Sequence, residues 1–532
     1  MRKKRILSMF LTCGMLIGIL GACAPATPTL APEAPAPVTP IPAAPAPAPA
    51  PVAPAPELAR GVIVVSASET PSITPARHGA VLAGHKNRMT HNGLFALCYT
   101  DLTPVPDLVA DWRAVSDTVF EFTLHEGILF HNGDVMTAYD VAAAFEYNRT
   151  FPYSRAFHGS IANWEVVDRL TIRIDTGMPN AIFFDDLAHH GNFVHPRSLI
   201  EAGHDFTVNP VGSGPFVFEE WRRGEYLQFA AFEDYFDTNR SPQIAYIHWR
   251  IIPEGSSRTI ALEIGEADYV LDVALPDVER LEANPNVTVV QRPGIMYQMF
   301  IMNNERAPFN NIYVRRAIDM AFDREAMVLA SLDGFGIPIW TAFPPFFPGA
   351  TTEGTRSFDP QGAIALLAEQ GIDPATINFE MLVFDEQQRR RAEVAQSNLA
   401  DIGMTTTISM IDFAAWTTLT QEDAFDSSFG NITLGSLPAF MRGTMSLGAI
   451  GANNRSRINN PELDYLINRA IATVDESARM TILHEASIMA NEYVGHIGTN
   501  MNVVVRAFNA RLDAPELGAN GSMYANMLRW IN

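Results

Sequence analysis

Between Cys23 and Glu57 the chain consists mostly of alanine and proline, and this segment separates the part that can fold from the part that cannot. Proline has no backbone N–H, so such a run lacks the hydrogen bonds of a helix or a sheet, and it buries little apolar surface. We therefore expect an extended, disordered linker over residues 23–57, rising about 3.1 Å per residue. The folded part is then residues 58–532.

The stretch before the linker has the composition of an export signal. Four basic residues precede an apolar run from Ile6 to Leu20, which is too short to cross a bilayer comfortably as a helix. The run ends in LGAC (residues 20–23), which resembles the lipobox of bacterial lipoproteins. We predict a lipoprotein signal peptide over residues 1–22 and lipidation of Cys23. The protein would be exported and held on the cell membrane by lipid alone, in the periplasm or at the cell surface.

The mature chain is acidic and poor in cysteine. The full sequence has 59 acidic and 37 basic residues, and four of the basic residues belong to the signal. This balance argues against nucleic acid or an anionic membrane face as a partner. Besides Cys23, only Cys98 follows the signal, so no intramolecular disulfide is expected. About 475 residues of folded chain should form two or three domains.

The sequence contains partial matches to motifs of enzymes, but each lacks a residue that the motif requires. HEGIL (125–129) and HEASI (484–488) each place an aliphatic residue where a zinc-protease helix needs its second histidine. GSGPFV (212–217) has the first two glycines of a dinucleotide fingerprint, but valine stands in the third place. No GxSxG or GxxxxGK[ST] motif occurs. We predict a protein that is not an enzyme and that holds no cofactor and no metal of its own.

Hydrophobic patterning predicts strands and hairpins first, and alternating helices and strands from about Asn311 onward. The early strand patterns are GVIVVSAS (61–68), VFEFTL (119–124), WEVVDRLTIRID (164–175) and LQFAAFEDYF (227–236). Thr137 and Asp140 have the spacing of a capping box at the start of a helix.

The later region contains a strand-helix-strand unit, with FEMLVF (379–384), a helix from Glu386 to Ile402 and TTTISMI (405–411). This order predicts a right-handed crossover and a parallel pair of strands. Two helices are predicted from Asn311, the second beginning near Asp323, and two more between Pro461 and Asn491. These flanking helices precede a last strand pattern, NMNVVVRAFNARL (500–512), which should rejoin the first domain and make the second domain an insertion.

Five blocks resemble, in order, the family 5 extracellular solute-binding proteins, which are the dipeptide, oligopeptide and nickel receptors of ABC importers. The blocks are PDLVADWRAVSDTVFEFTLHEGILFHNGDVMTAYDVAAAFE (106–146), NPVGSGPFVFEEWRRGEYLQFAAFEDYF (209–236), ALEIGEADYV (261–270), FNNIYVRRAIDMAFDREAMV (309–328) and NPELDYLINRAIATVDESARMTILHEASIMANE (460–492). The resemblance extends from about Val62 to Arg511, almost the whole mature chain.

The resemblance implies an α/β, two-lobed fold like that of class II periplasmic binding proteins, enlarged by an extra subdomain. The first lobe would be residues 58–293 plus 501–532, with the subdomain at 101–209, and the second lobe would be residues 294–500. The strands that connect the lobes, near Pro293 and Met501, would absorb a hinge rotation. The implied function is that of a lipid-anchored monomer that captures a peptide or peptide-like solute and delivers it to the permease subunits of an ABC transporter.

The resemblance also implies residues for the cleft between the lobes. The candidate ligand-binding residues are Thr90, His91, Asn92, Trp416, Phe429, Gly430, Asn431, Thr433 and Arg442. Trp416 would stack on the ligand, although packing within the lobe explains it equally well. Arg442 would pair with a ligand carboxylate, or would simply be a surface arginine. The segment PIWTAFPPFFPG (338–349) would supply an apolar wall.

Peptide receptors of the family follow a Gly-Trp pair shortly with an aspartate that neutralises the α-amine of the peptide. Here Gly430 is followed by Asn431, and no acidic residue occurs before Arg442. The amine anchor is therefore missing at its usual place. A nickel-chelate or haem receptor of the same family is one alternative. A surface interaction protein, adhesin-like or chaperone-like, that kept the fold is another.

Overall fold

The computed structural model describes residues 60–70, 72–75, 81–98, 102–155, 157–433, 435–515, 518 and 521–531. The predicted signal peptide, Cys23 and the alanine- and proline-rich segment lie outside the described residues. All of the described chain belongs to the unit Pro56–Asn532. No helix in this described part has the length and apolar character needed to cross a bilayer.

The described chain begins with runs of strands that form hairpins, and helices become more frequent from Ile312 onward. The strands are β1 (Val62–Ser66), β2 (Phe95–Leu97), β3 (Pro104–Pro106), β4 (Val109–Ala114), β5 (Val119–Leu124), β6 (Asn163–Val166), β7 (Thr171–Asp175), β8 (Phe216–Arg222), β9 (Tyr226–Ala231), β10 (Tyr246–Ile251), β11 (Tyr269–Val270), β12 (Val287–Met302), β13 (Gly336–Pro338), β14 (Asn378–Val383), β15 (Thr405–Met410), β16 (Ser427–Ile432), β17 (His496–Asn509), β18 (Leu512–Asp513) and β19 (Arg529–Trp530). The α-helices are α1 (Val81–Thr90), α2 (Ala138–Arg149), α3 (Pro152–Arg155), α4 (Phe183–Leu187), α5 (Arg197–Glu201), α6 (Gly255–Glu263), α7 (Val278–Glu282), α8 (Ile312–Ala321), α9 (Arg324–Leu332), α10 (Pro360–Glu369), α11 (Glu386–Asp401), α12 (Phe413–Gln421), α13 (Leu437–Met445), α14 (Pro461–Ala472) and α15 (Glu476–Tyr493).

One mixed sheet runs through both lobes. Its strand order is β15-β14-β16-β12-β17-β11-β1-β10-β9-β8, and β13 pairs with β17 beside this path. β12 and β17, of 16 and 14 residues, pair antiparallel along most of their length and contribute one half to each lobe. The subdomain has its own antiparallel sheet, in the order β4-β5-β7-β6.

The secondary structure agrees with most of the sequence patterns. The parallel pair of β14 and β15 is confirmed, with α11 as the crossover between the two strands. Asp140 accepts hydrogen bonds from the backbone N–H and the hydroxyl of Thr137, at 2.8 and 2.7 Å, which confirms the capping box of α2. The strand predicted to reach Phe236 instead ends at Ala231, because the chain turns where the N–H of Tyr235 bonds to the carbonyl of Phe232.

Alternating apolar residues on β12 feed two separate cores of the second lobe. Tyr297, Met299 and Ile301 pack with α13, α14 and α15 on one face of the sheet. Phe300 and Met302 pack with α8, α10 and α11 on the other face. Successive side chains of a strand point to opposite faces, and a strand buried on both faces is apolar throughout. Helices on both faces therefore explain why this part of β12 is a nearly continuous apolar run.

Candidate functional site

The carboxyl ends of the parallel strands in both lobes are directed toward the middle of β12 and β17. In the second lobe β14, β15 and β16 run parallel to one another. β16 pairs antiparallel with β12, so that Ile432 at the end of β16 lies beside Tyr297. In the first lobe β1 and β11 run parallel, and Val270 at the end of β11 pairs with Ala507 of β17. Open α/β sheets bind ligands beyond the carboxyl ends of their strands. The candidate site therefore lies where the two lobes meet.

The pairing of β12 and β17 is irregular at this place. Pro293 pairs with Val503 and Tyr297 with Met501, so three residues of β12 stand opposite the single residue Asn502. We call Pro293–Tyr297 together with Met501–Val503 the crossing point. A bulge of this kind bends a strand and increases its twist.

Gly294 lies inside the crossing point. A Cβ atom at this position would come within 2.8 Å of Val504 Cγ2 and 2.9 Å of the carbonyl oxygen of Asn502. The strands β12 and β17 therefore approach each other too closely to admit a side chain at residue 294.

The predicted segment after Trp416 divides into a buried part and an accessible part. Phe429 is fully buried, with its ring centroid 5.2 Å from that of Phe300. A Cβ atom at Gly430 would lie 2.9 Å from Trp416 Cζ2, so the glycine admits the indole ring. Asn431 is half-buried at the end of β16, and its side chain forms no hydrogen bond with another described residue. Thr433 is exposed just beyond the strand.

Trp416 packs within the second lobe. Its side chain is buried, and the indole Nε1–H donates to Ser428 Oγ at 2.7 Å. The ring of Phe413 stacks on it at 5.7 Å, and Phe413 is 60% exposed. The guanidinium of Arg455 lies 4.6 Å from the indole centroid. In this arrangement the aromatic surface open to solvent belongs to Phe413, and the stacking of Trp416 on a ligand stays a prediction.

Thr90, His91 and Asn92 lie at the end of α1, where the first lobe joins the subdomain. All three residues are buried. The amide of Asn92 donates to the carboxylate of Asp107, at 3.2 and 3.0 Å, and to the hydroxyl of Tyr235 at 3.2 Å. Thr90 Oγ1 and His91 Nδ1 are 2.8 Å apart. These side chains therefore form hydrogen bonds within the junction. Contact of the three residues with a ligand stays a prediction.

The glycines of the GSG motif have a structural explanation at the same junction. A Cβ atom at Gly212 would lie 2.2 Å from the carbonyl oxygen of Thr90, and one at Gly214 would lie 2.5 Å from the backbone N of His91. Burial lowers the pKa of His91 well below its ordinary value, and the nearby His195 and His131 lower it further. The imidazole is therefore neutral.

Arg442 pairs with an acid of the opposite lobe. Its Nη2 donates to Asp186 Oδ1 at 3.0 Å, and its Nη1 donates to Asp186 Oδ2 at 3.3 Å. Close to this pair, the backbone N–H of Ala181 donates to the carbonyl of Ile471 at 2.8 Å. We call this ion pair and hydrogen bond together the rim contact. In this arrangement the guanidinium of Arg442 is occupied by the protein, and its pairing with a ligand carboxylate stays a prediction.

Asp186 of the rim contact and the adjacent Asp185 were not recognised from the sequence. Burial raises the pKa of Asp185 to about 7, and the adjacent carboxylate of Asp186 adds to this shift. Burial also raises the pKa of Asp186, although Arg442 opposes the shift. The signal that was available is the segment FFDDL (183–187), in which two acids interrupt an aromatic and aliphatic run.

Arg391 is a second polar group that the sequence did not indicate. Its side chain is fully buried in α11, Nη1 donates to Gln298 Oε1 at 3.2 Å, and Nη2 donates to Ser331 Oγ at 3.5 Å. Burial lowers the pKa of Arg391 to about 10. Gln298 is the β12 partner of Asn431. Arg391 therefore fixes the amide that lies next to the accessible end of β16.

The segment predicted as an apolar wall borders a pocket of about 280 Å³. Its lining includes Pro338, Ile339, Trp340, Thr341, Pro345 and Arg356. Trp340 is 37% exposed. Within the described residues, no three His, Cys, Asp or Glu side chains are grouped so that they could hold a metal ion.

Comparison with known protein families identifies the family of this chain. Residues 103–451 match the model of the bacterial extracellular solute-binding proteins, family 5. The chain belongs to this family. The glutathione-binding protein GsiB of Salmonella paratyphi A is 28% identical over 364 residues, which are 66% of this chain and 70% of that protein. GsiB of Escherichia coli O157:H7 is 26% identical over the same shares.

Solved structures confirm the two-lobed fold. DppA of Helicobacter pylori in complex with the peptide STSA matches with a TM-score of 0.79 and 21% identity, covering 89% of this chain and 99% of that chain. AppA of Bacillus subtilis in complex with a nonapeptide matches with a TM-score of 0.78 and 18% identity, covering 90% and 100%. NikZ of Campylobacter jejuni in complex with Ni(L-His) matches with a TM-score of 0.75 and 18% identity, covering 88% and 99%.

Proposed function

We propose that the protein is the solute receptor of an ABC importer. It captures a peptide or peptide-like small solute between its two lobes and presents the closed form to the permease. Membership of the solute-binding family supports this function, as do the names of the relatives, among them a glutathione-binding protein and receptors solved with peptides. The ligands differ widely among these relatives, so the solute of this chain follows from its own site.

The observation that carries the proposal is the convergence of strand ends on the crossing point. Ile432 of the second lobe and Val270 of the first lobe both end strands that are directed toward it. A solute held there would contact both lobes, and closure would remove most of its surface from water. The bulge between Pro293 and Tyr297 supplies the flexible joint for such a closure, with lobe boundaries near residues 293 and 501.

Asn431 and Thr433 are the residues that we assign to solute contact. Both are accessible at the carboxyl end of β16, and an asparagine amide offers a donor and an acceptor to a peptide bond. No acid occupies the segment that follows Gly430. The solute is therefore held there by neutral hydrogen bonds, which suits a modified or blocked amine better than a free one.

Lipidation of Cys23 completes the proposal. A lipid anchor and a linker of more than thirty residues would keep the receptor close to its permease and raise the effective concentration. Replacement of residues 1–23 by a signal peptide that is cleaved without lipidation should release the protein into the soluble fraction. Intact mass measurement of the membrane-bound wild-type protein should show the mass of the attached lipid, and an unmodified Cys23 would contradict the anchor.

The test of the function is native mass spectrometry of the chain in which a signal peptide cleaved without lipidation replaces residues 1–23, purified gently from an exporting host. A discrete bound mass released by mild denaturation supports the receptor, and its fragmentation shows whether it is a peptide. Glutathione, tripeptides with free and acetylated amines, and Ni(L-His)₂ are then compared by thermal stabilisation. An empty protein that none of these probes stabilises would favour a surface interaction protein instead.

Asn431→Ala sharpens this test. Loss of one or two hydrogen bonds to the solute should weaken binding roughly tenfold. Asn378→Ala is the matched control, because Asn378 is an exposed asparagine at the opposite, amino end of β14 in the same sheet. Equal affinities of the two variants would remove Asn431 from the site.

A further inference from the structure

The rim contact joins two segments that are each fixed within their own lobe. On α4, Phe183 and Leu187 are buried in the subdomain, and the side-chain amide of Asn192 donates to the carbonyl of Asp186 at 2.6 Å. On α13, Phe440 and Met441 are fully buried in the second lobe. Asp186 and Arg442 are therefore positioned before the lobes meet, so little side-chain freedom is lost when the pair forms.

The rim contact is also sheltered from water. The side chain of Asp186 is 4% exposed and that of Arg442 is 30% exposed. Two hydrogen bonds between a guanidinium and a carboxylate are stronger than bonds between neutral groups. Burial raises the pKa of Asp186, so its carboxylate depends on Arg442 for compensation in the closed arrangement. The contact connects the subdomain to the second lobe away from the crossing strands, and it must break when the lobes separate.

We propose that the rim contact is a latch that holds the two lobes closed in the absence of solute. The ion pair of Asp186 and Arg442 then sets the balance between open and closed receptor, and solute binding adds to a closure that already exists. This inference rests on the proposed function, because it concerns the closure of the same cleft. It gives Arg442 a role in closure in place of direct contact with the solute.

The latch is coupled to the segment that we assign to solute contact. Thr433 lies before α13, and Arg442 lies in the last turn of that helix. A solute that moves the segment around Thr433 also moves the guanidinium of Arg442 relative to Asp186. Binding at the crossing point can thereby strengthen or release the latch without touching it.

The test measures the distance between two spin labels, one on each side of the cleft, by pulsed electron paramagnetic resonance of the full-length protein. Spin labels are placed at Val115→Cys in the subdomain and Leu329→Cys in the second lobe, two residues that are 52% and 67% exposed. Cys98→Ala removes the buried thiol, and replacement of residues 1–23 by a signal peptide that is cleaved without lipidation removes Cys13 and Cys23. Bound solute is removed by unfolding and refolding, and native mass spectrometry verifies that the protein is empty.

The empty wild-type protein should show a closed population. Asp186→Asn and Arg442→Gln should each lower the ratio of closed to open molecules about tenfold. The reversed pair, Asp186→Arg with Arg442→Asp, should restore part of the closed population. Arg389→Gln is the control, because it removes an ion pair with Glu386 that lies entirely within α11, and it should leave the distances unchanged.

Two results would overturn the latch: an empty wild-type protein that is entirely open, or single variants whose distances match those of the wild type. Solute binding is measured separately on the same samples. If the distances respond to Asp186→Asn but no solute is ever bound, the latch stands and the proposed function fails. If solute binds and the single variants stay closed, the function stands and the latch fails.

Discussion

Two of the connections between the lobes are the crossing point and the rim contact, and they differ in nature. At the crossing point two strands of the continuous chain, β12 and β17, connect the lobes, and Gly294 lies directly against Val504 and Asn502. The rim contact consists of an ion pair and one backbone hydrogen bond. A defect at the crossing point stays in place whether the lobes are open or closed. A defect at the rim contact can be relieved by opening, so the same protein has one permanent and one conditional connection.

Gly294→Val should produce the largest effect on stability. The new side chain has to enter space already filled by Val504 Cγ2 and the carbonyl of Asn502, and the two strands stay joined there whether the lobes are open or closed. The free energy of unfolding should fall by about 3 kcal/mol. Urea unfolding measures it, with Gly448→Ala as the control, because a Cβ atom at Gly448 meets nothing within 4 Å. A loss no greater than that of the control would show that the crossing strands adapt freely.

Arg442→Gln should have a smaller effect. It leaves the sheltered carboxylate of Asp186 without its cation, but the lobes can open and let water reach the carboxylate. The loss in unfolding free energy is therefore limited by the free energy of opening, and we expect about 1–2 kcal/mol. Asp186→Asn combined with Arg442→Gln should recover part of this loss, since no buried charge is then left without a partner. A loss as large as that of Gly294→Val would mean that the rim contact cannot open.

Asp185→Asn should have the smallest effect, and the effect should depend on pH. Burial and the carboxylate of Asp186 raise the pKa of Asp185 to about 7 from an ordinary value of 3.8, so the folded protein favours its protonated form. The stability contribution is full below pH 4 and is lost as the pH rises through 7.

The Asp185→Asn variant should therefore be more stable than the wild type at pH 8, by roughly 1 kcal/mol after allowance for the partial exposure of Asp185. Near pH 4 the two proteins should agree. Unfolding free energies at pH 4, 6 and 8 test this, and parallel curves for the two proteins would remove Asp185 from the charge balance at the rim contact.

Much of the fold followed from periodic patterns in the sequence. The strand-helix-strand unit of β14, α11 and β15 was predicted with its parallel pairing, and this pairing is confirmed. The last strand pattern was recognised as well, although β17 begins at His496, four residues before the predicted start. Strand periodicity and helix caps are local properties, so a single chain suffices to see them.

The rim contact could not be predicted in this way. Asp186 and Arg442 are 256 residues apart, and nothing in the local sequence of either one identifies the other. Trp416 illustrates a different limit, because an aromatic residue on a helix has the same pattern whether it packs in a core or faces a ligand. The hydrogen bond of its indole to Ser428 makes the packing role visible only in three dimensions. The GSG motif is similar, since its glycines serve the contact with the end of α1.

The placement of β17 also has a consequence for how the protein reaches its native state after export. The carboxyl half of β17, which includes Ala507 and Phe508, lies between β12 and β11 in the interior of the first-lobe sheet. A chain that emerges from the export channel amino end first cannot fill this position until more than 500 residues have crossed the membrane. The first lobe, although it is made first, is therefore completed last. Until then its strands β11 and β12 expose unpaired edges, and these are the surfaces that an export chaperone would have to protect.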